Sequence, residues 1–486
     1  MHRCLQVPEL VALITSNFLP EHAERRNLTV LARTSSVFSG HALRLLWASA
    51  ELQDLLRCLP SDAYRVTVER KRWSNQYTMS PRRSLHDSDF ERLRFYGAYV
   101  RCLLCFAGPS NTSPMFRSVH PWLSESMFPI LRAMHWSMSS RHSQHEEDDI
   151  RFIQFFLTPA SPLAVPNHAI PAAVAALSES LRGLHHLQSL STDVLDGPAL
   201  DHLSRLSNLR ELILNGTPTD FPSPSQPFFP SLVELQVADF DSASWFFDRG
   251  GEIALTWLVV GPGPTKSTAD DIHRLVSAIE SGVSHSSLTS FTFFDGHGPF
   301  HRSDATAYII PASSLRRLFC FNNLTEIDIK TAVGFDLDDA TVVDMTRSWP
   351  HVESLRLQTC FGPSSPRTTL CCLKAFAQYC PRLAMLSIPF DATVVPSESQ
   401  GDFYLKDLTH LDVDASPISA ADPVAQFIAR ICPRLRHVRS LLDVEHGAEE
   451  REANMVPEAS AYDVIWREVA SIVQGSVEEK HHGVAS

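Results

Sequence analysis

One hydrophobic spacing, L-x-x-L-x-L with aliphatic or aromatic substitutes, recurs along most of this chain and limits the folds open to it. Five copies carry a proline two residues ahead: PILRAMHW from Pro129, PSLVELQV from Pro230, PHVESLRL from Pro350, PRLAMLSI from Pro381 and PRLRHVRS from Pro433. Six copies without that proline start at Leu187, Leu209, Leu255, Leu288, Leu324 and Leu408. Two copies place a polar residue at the third position, Thr192 and Ser440. From Leu187 onward, successive copies begin 22 to 36 residues apart. With 32 prolines in 486 residues, chance would place proline at that offset in fewer than one of the eleven copies. Proline has no amide hydrogen, so it suits the approach to a strand and not a ladder interior. A strand recurring at such intervals is the signature of a stacked repeat array. An irregular α/β domain is the alternative.

The stretches between copies carry helical spacing. ADDIHRLVSAIESG sets Ile272, Leu275, Val276 and Ile279 on one face, and DDATVVDMTRSW does the same with Val342, Val343 and Met345. ADPVAQFIARIC places Phe427, Ile428 and Ile431 behind Pro423, near a first helical turn. Strands that alternate with helices run parallel, because each helix is the crossover. One strand–helix pair cannot bury its own apolar face, so neighbours stack and share a core. The expected fold class is therefore α/β. It comprises a small helical domain over residues 1–50 and a helical linker over 51–120. A solenoid follows over 121–445, with parallel strands on its concave face and helices on its convex face. An acidic loop and a capping helix occupy 446–486.

A net charge of −13 argues against nucleic acid as the main partner. The charge is uneven: residues 1–120 hold 16 Lys and Arg against 10 Asp and Glu, which leaves −19 for the rest. No apolar run approaches membrane-spanning length, and Glu9 interrupts the first apolar stretch, unlike a signal peptide. The expectation is an intracellular chain, cytoplasmic or nuclear, with no membrane partner and ten reduced cysteines. Cys102 and Cys105 form C-x-x-C, but leucines fill the middle and no second pair lies at zinc spacing, so a buried helix face is expected. RHSQHEEDD, residues 141–149, has Asp149 where a zinc helix would need its second histidine. GPGP and GHGP place prolines where a phosphate loop needs amides, and no nucleophile elbow appears. No catalytic activity, metal or cofactor is expected.

The first fifty residues carry the most specific pattern. LQVPELVALITSNFLP sets Leu10, Leu13 and Ile14 at helical spacing, with Pro8 at a helix start. Leu28, Leu31, Ala32 and Phe38 follow, then Ala42, Leu45, Leu46 and Trp47. Three short helices cannot bury all of these, so some apolar surface should meet a partner or the next domain. Here the chain resembles the F-box family. That family's Pro-acidic-aliphatic pattern, with Ile and then Leu downstream, is met by Pro8, Glu9, Leu10, Ile14 and Leu19. Its second aliphatic helix is met by Leu28, Leu31 and Phe38, and its closing Leu-Trp by Leu46 and Trp47. Val7 stands where leucine is usual, and PEHAERRN lengthens the first connection.

F-box domains followed by leucine-rich repeats are a known arrangement, and the irregular repeats here resemble those of mushroom-forming fungi. The Asn or Cys expected three residues after the last consensus leucine is nearly absent, with Cys360 filling it cleanly. The resemblance implies a substrate-recognition subunit of a Skp–cullin–F-box ubiquitin ligase. Val7, Pro8, Leu10, Ile14, Leu19, Leu31, Phe38, Leu46 and Trp47 would bind the Skp-type adaptor, and through it a cullin. Trp47 would serve either as an anchor there or as F-box core. The repeats would hold the protein to be ubiquitinated. A leucine-rich-repeat scaffold without ubiquitin transfer is the other reading.

Four local expectations complete the sequence. DFERLRFYGAYVRCLLCF reads as one amphipathic helix, and ERKRWSNQYTMSPRRS as a solvated basic loop or a nuclear-localisation patch. YDVIWREVASIV, with Tyr462, Ile465, Trp466, Val469, Ile472 and Val473 at helical spacing, reads as the cap of the array or as a binding helix. Residues between consensus positions point to the concave face, because strand side chains alternate. There Trp257 and Phe294 would anchor a target, beside Arg356 and His410, while Asp328, Asp412 and Asp414 would hold its basic segment. In the alternative, a loop covers Trp257 and the acids are merely solvated.

Overall fold

The computed structural model describes residues 7–16, 22–70, 75–105, 128–136, 178, 181–182, 184–192, 195–221, 228–248, 251–261, 263, 266–295, 302–359, 366–396, 403–440 and 457–483. Contacts divide the chain into two compact units, Met1–Leu232 and Val233–Ser486.

The first unit opens with helices α1 (Pro8–Ser16), α2 (His22–Thr34) and α3 (Ser36–Leu46). Both α1 and α2 pack on α3, and Val11, Leu28 and Ala42 are buried. Ser35 starts α3 by accepting the Val37 amide on its hydroxyl. Next come β1 (Ser49–Glu51), α4 (Leu52–Leu56) and an antiparallel hairpin of β2 (Tyr64–Arg70) and β3 (Asn75–Pro81). They are followed by α5 (Glu91–Gly97), β4 (Cys102–Cys105), β5 (Ala133–Trp136), β6 (Ser189–Thr192), α6 (Gly197–Ser204) and β7 (Glu211–Leu214). Strands β1, β4, β5, β6 and β7 pair in that order, all parallel.

The second unit continues with β8 (Glu234–Val237), α7 (Phe240–Phe247), β9 (Trp257–Val260), α8 (Ala269–Gly282) and β10 (Ser290–Phe294). Then follow β11 (Ile309–Pro311), α9 (Ala312–Arg316), β12 (Glu326–Thr331), β13 (Gly334–Asp336), α10 (Asp339–Ser348) and β14 (Ser354–Thr359). The unit ends with α11 (Cys372–Tyr379), β15 (Met385–Ser387), β16 (His410–Asp412), α12 (Ala421–Ile431), β17 (His437–Arg439) and α13 (Pro457–Gly483). Strands β8, β9, β10, β12, β14, β15, β16 and β17 form a parallel run in chain order, and β11 and β13 form a separate parallel pair. The fold is mixed α/β, with parallel strands stacked in the order of the sequence.

The repeated spacing is the cause of that stacking. Each of the eleven copies becomes a strand that starts two residues after its first consensus position, from Leu131 and Ala133 to Leu435 and His437. First and second consensus side chains are buried in every copy, as Leu209 and Leu212 or Val352 and Leu355 illustrate. Helices form the other layer: α7 packs on α8, α10 on α11, α11 on α12 and α12 on α13. Asp196, Asp239 and Asp338 each accept an amide of the helix they open, and Thr268 and Asp271 close a reciprocal cap on α8. Gly282 lets α8 touch α7, since a Cβ there would lie 2.7 Å from that of Phe247. In α13, Trp466, Val469 and Val473 are buried, and the helix packs on α12 and β17.

The structure differs from the sequence reading in three places. The parallel run begins at Ser49, so β1 spans the end of the stretch read as the helical domain, and the stretch read as a linker contributes β4. The long amphipathic helix stops at Gly97, and Cys102–Cys105 is a strand in which buried Leu103 alternates with half-buried Cys102 and Leu104. A period of two has replaced the expected helical period. Of the basic stretch, residues 69–70 and 75–81 lie in the paired strands β2 and β3, held by backbone pairing where the exposed Val66, Thr67 and Val68 of β2 offer no buried face. Leu19, the RHSQHEEDD segment, Cys360 and the acidic stretch 441–456 lie outside the described residues. No described helix is long and apolar enough to cross a membrane.

Candidate functional site

Two surfaces stand out, one in each unit. On the first, α1 buries Val11 and Thr15 but leaves Leu10, Leu13 and Ile14, with Val7 just ahead of it, exposed at 41%, 62%, 40% and 40%. Their spacing places Val7, Leu10 and Ile14 on one stripe. The bundle buries Val11, Leu28 and Ala42 between its helices, and three short helices offer little core for a further apolar row. Leu31, Phe38, Leu46 and Trp47 are half-buried, and Pro8 opens the helix. Trp47 does not face outward alone. It stacks on Tyr96 of α5 with ring centroids 4.6 Å apart, which ties the helical bundle to the following segment.

The second surface is the face of the β8–β17 run that carries the residues between consensus positions. Register places Glu234, Trp257, Ser290, Glu326, Ser354, Met385, His410 and His437 in one row across the strands. The adjacent row holds Gln236, Val259, Thr292, Asp328, Arg356, Ser387, Asp412 and Arg439. Trp257 is half-buried and Phe294 is exposed. They are not brought together: Trp257 pairs with Ser290, and Phe294 lies four residues further along β10, about 13 Å away at strand rise.

At the C-terminal end the rows enclose a hollow of about 180 Å3 lined by Arg356, Met385, Ser387, His410, Asp412, His437 and Arg439. His410 and His437 stack with centroids 4.6 Å apart, and the His410 Nδ1 lies 2.9 Å from the Thr409 hydroxyl. Burial lowers the His410 pKa, and His437 and Arg439 lower it further. Asp328 pairs with Arg356 at 3.2 Å; burial raises its carboxyl pKa, against the pull of that guanidinium.

The carboxylates do not form the acidic strip expected from sequence. Asp414 is 5% exposed, so it is not part of the exposed strand face. Its Oδ2 accepts the amide and the hydroxyl of Thr359 at 3.2 and 2.6 Å, and its φ of 50° turns the chain after β16. Asp412 accepts the Asp414 amide at 3.0 Å and stands among Arg356, His410 and Arg439. This end of the face therefore presents mixed charge, with Asp328 and Asp412 set against Arg356 and Arg439.

Among the described residues, no group of three or more His, Cys, Asp or Glu side chains is placed to hold a metal. Burial pushes the thiols of Cys58 and Cys320 up to about 11 and that of Cys380 up to about 12, the opposite of an activated nucleophile. What these surfaces offer is contact area. In comparisons with known proteins, no family model and no curated protein matches the chain.

Proposed function

We propose that this chain is the substrate-recognition subunit of a Skp–cullin–F-box ubiquitin ligase. In this reading α1–α3 form an F-box that docks a Skp-type adaptor, and the parallel strands form irregular leucine-rich repeats that hold the target. The observation that carries the reading is the exposed stripe of Val7, Leu10 and Ile14 on α1, which coincides with the Pro-Glu-Leu and Ile positions of the F-box pattern. A soluble surface keeps such a stripe exposed at a cost unless a partner covers it. The strand rows support the second half, because they present a broad face of alternating side chains.

Catalysis then belongs to the assembly: it brings a ubiquitin donor near a lysine of the bound target, a proximity effect. The Trp47–Tyr96 stack fixes the bundle against the segment that starts the strands, which suits a subunit whose two ends must hold their partners at a set separation. The test is recovery of a Skp-type adaptor by the purified chain and by Leu10→Ala/Ile14→Ala. Both side chains are exposed, so the variant keeps its fold, and loss of adaptor from the folded variant is the expected result. Unchanged recovery removes the F-box assignment.

A further inference from the structure

Adaptor binding through α1 leaves a second feature of the first unit unused. A cleft of about 620 Å3 opens between α2, the end of α3, α4 and α5. Arg25, Arg26 and Arg33 reach it from α2, Arg57 from the end of α4 and Arg92 from α5, against one carboxylate, Asp54. Residues 25, 29, 32 and 33 share a helix face, so α2 lines the cleft along two turns. Asp54 pairs with Arg57 at 3.4 Å, and the Arg25 guanidinium donates to the Leu46 carbonyl at 3.4 Å. Among the described residues, Asp54 is the one carboxylate lining the cleft beside Arg25, Arg26, Arg33 and Arg92. The stacked Trp47 and Tyr96 supply an aromatic wall.

Like charges concentrated in a concave site repel one another and raise the local concentration of anions. Their concentration here runs against a chain of net charge −13. Guanidinium forks match phosphate oxygens in pairs, which ammonium groups cannot do. The volume lies within the range of small-molecule sites, about 300–1,000 Å3, and exceeds what a single phosphate would fill.

We propose that this cleft binds a small polyanion bearing two or more phosphoryl groups. Arg25, Arg26, Arg33 and Arg92 hold the phosphoryl oxygens, and the Trp47–Tyr96 pair closes the apolar side. Because the arginines come from α2 and α5, the ligand cross-links the N-terminal bundle to the segment behind it. Binding therefore stabilises the first unit by mass action. The proposal rests on the cleft alone and holds whether or not α1 docks an adaptor.

The experiment titrates the full chain with inorganic tripolyphosphate by calorimetry at low and physiological salt, with ATP as a second arm. Saturable binding at one site per chain that weakens as salt rises is expected. Equal affinities for the two probes assign recognition to the phosphate chain, and tighter ATP binding adds the aromatic wall; both outcomes support the proposal. Arg26→Glu/Arg33→Glu, both exposed on α2, should weaken binding by about tenfold or more with an unchanged circular dichroism spectrum. Arg92→Gln, on a different helix, should act in the same direction. No saturable binding up to millimolar tripolyphosphate, or binding that both variants leave unchanged, overturns the proposal. So does binding of an acidic peptide in the absence of tripolyphosphate binding, which assigns the cleft to a protein partner.

Discussion

Replacing Asp414 separates a structural carboxylate from a binding one. Its Oδ2 holds the Thr359 amide and hydroxyl, so it ties the end of β14 to the turn after β16. Asp414→Ala leaves that buried amide without its acceptor, at a cost of about 1–3 kcal/mol. The φ of 50° adds to this, because alanine tolerates the left-handed region less well than aspartate, by about 1 kcal/mol. The expected total is about 2–4 kcal/mol. With a urea dependence of about 3 kcal/mol/M, the unfolding midpoint falls by about 1 M. Asp414→Asn keeps both an acceptor oxygen and the tolerance of positive φ, so it should lose less than half as much. Urea unfolding followed by circular dichroism reads all three proteins. An alanine variant as stable as the parent, or an asparagine variant as damaged as the alanine one, refutes the account of this turn.

Leu355→Ala, at a fully buried consensus position of β14, should cost about 2–5 kcal/mol in the same assay, and a loss below 1 would contradict the shared core. Trp466→Phe removes the indole donor to the Ser416 carbonyl, 2.8 Å away, and should cost about 1–3 kcal/mol if α13 is the cap. The paired Arg83 guanidinium holds the Asp89 carboxyl at about 2, below its usual 3.8, with help from the His86 amide. A depressed folded pKa gives stability that is full above the unfolded value and is lost as pH falls through the folded one. The thermal midpoint of Asp89→Asn should therefore lie below that of the parent at neutral pH. The gap should close between about pH 4 and 2, and a constant gap would show that the pair does not act through its charge.

The strands were legible because L-x-x-L-x-L places its consensus side chains on the buried face, at Leu324, Ile327 and Ile329 for example. Polar third positions did not hide it, since Thr192 and Ser440 are buried in the same register. β1 and β4 were not legible for a physical reason. Ser49–Glu51 is too short for a period, and Cys-Leu-Leu-Cys following a helical stripe fits either period. The stripe on α1 could be read from spacing, because exposure there follows from the small size of the bundle. The charge of the strand face could not. Whether Asp414 is a surface acid depends on a turn with positive φ and on Thr359, 55 residues away in sequence. The arginine cleft was hidden in the same way, since its members are scattered from Arg25 to Arg92 and meet only when α2, α4 and α5 pack.

The central claim is that the chain is the receptor of a cullin ligase, and one measurement tests it most directly. The purified chain is mixed with a Skp-type adaptor and a cullin, and the complex is resolved by size-exclusion chromatography with mass determination. A single ternary species containing all three proteins, lost with Leu10→Ala/Ile14→Ala, is the predicted result. A chain that elutes alone contradicts the F-box assignment, and a chain that carries the adaptor but excludes the cullin makes it a scaffold without ubiquitin transfer.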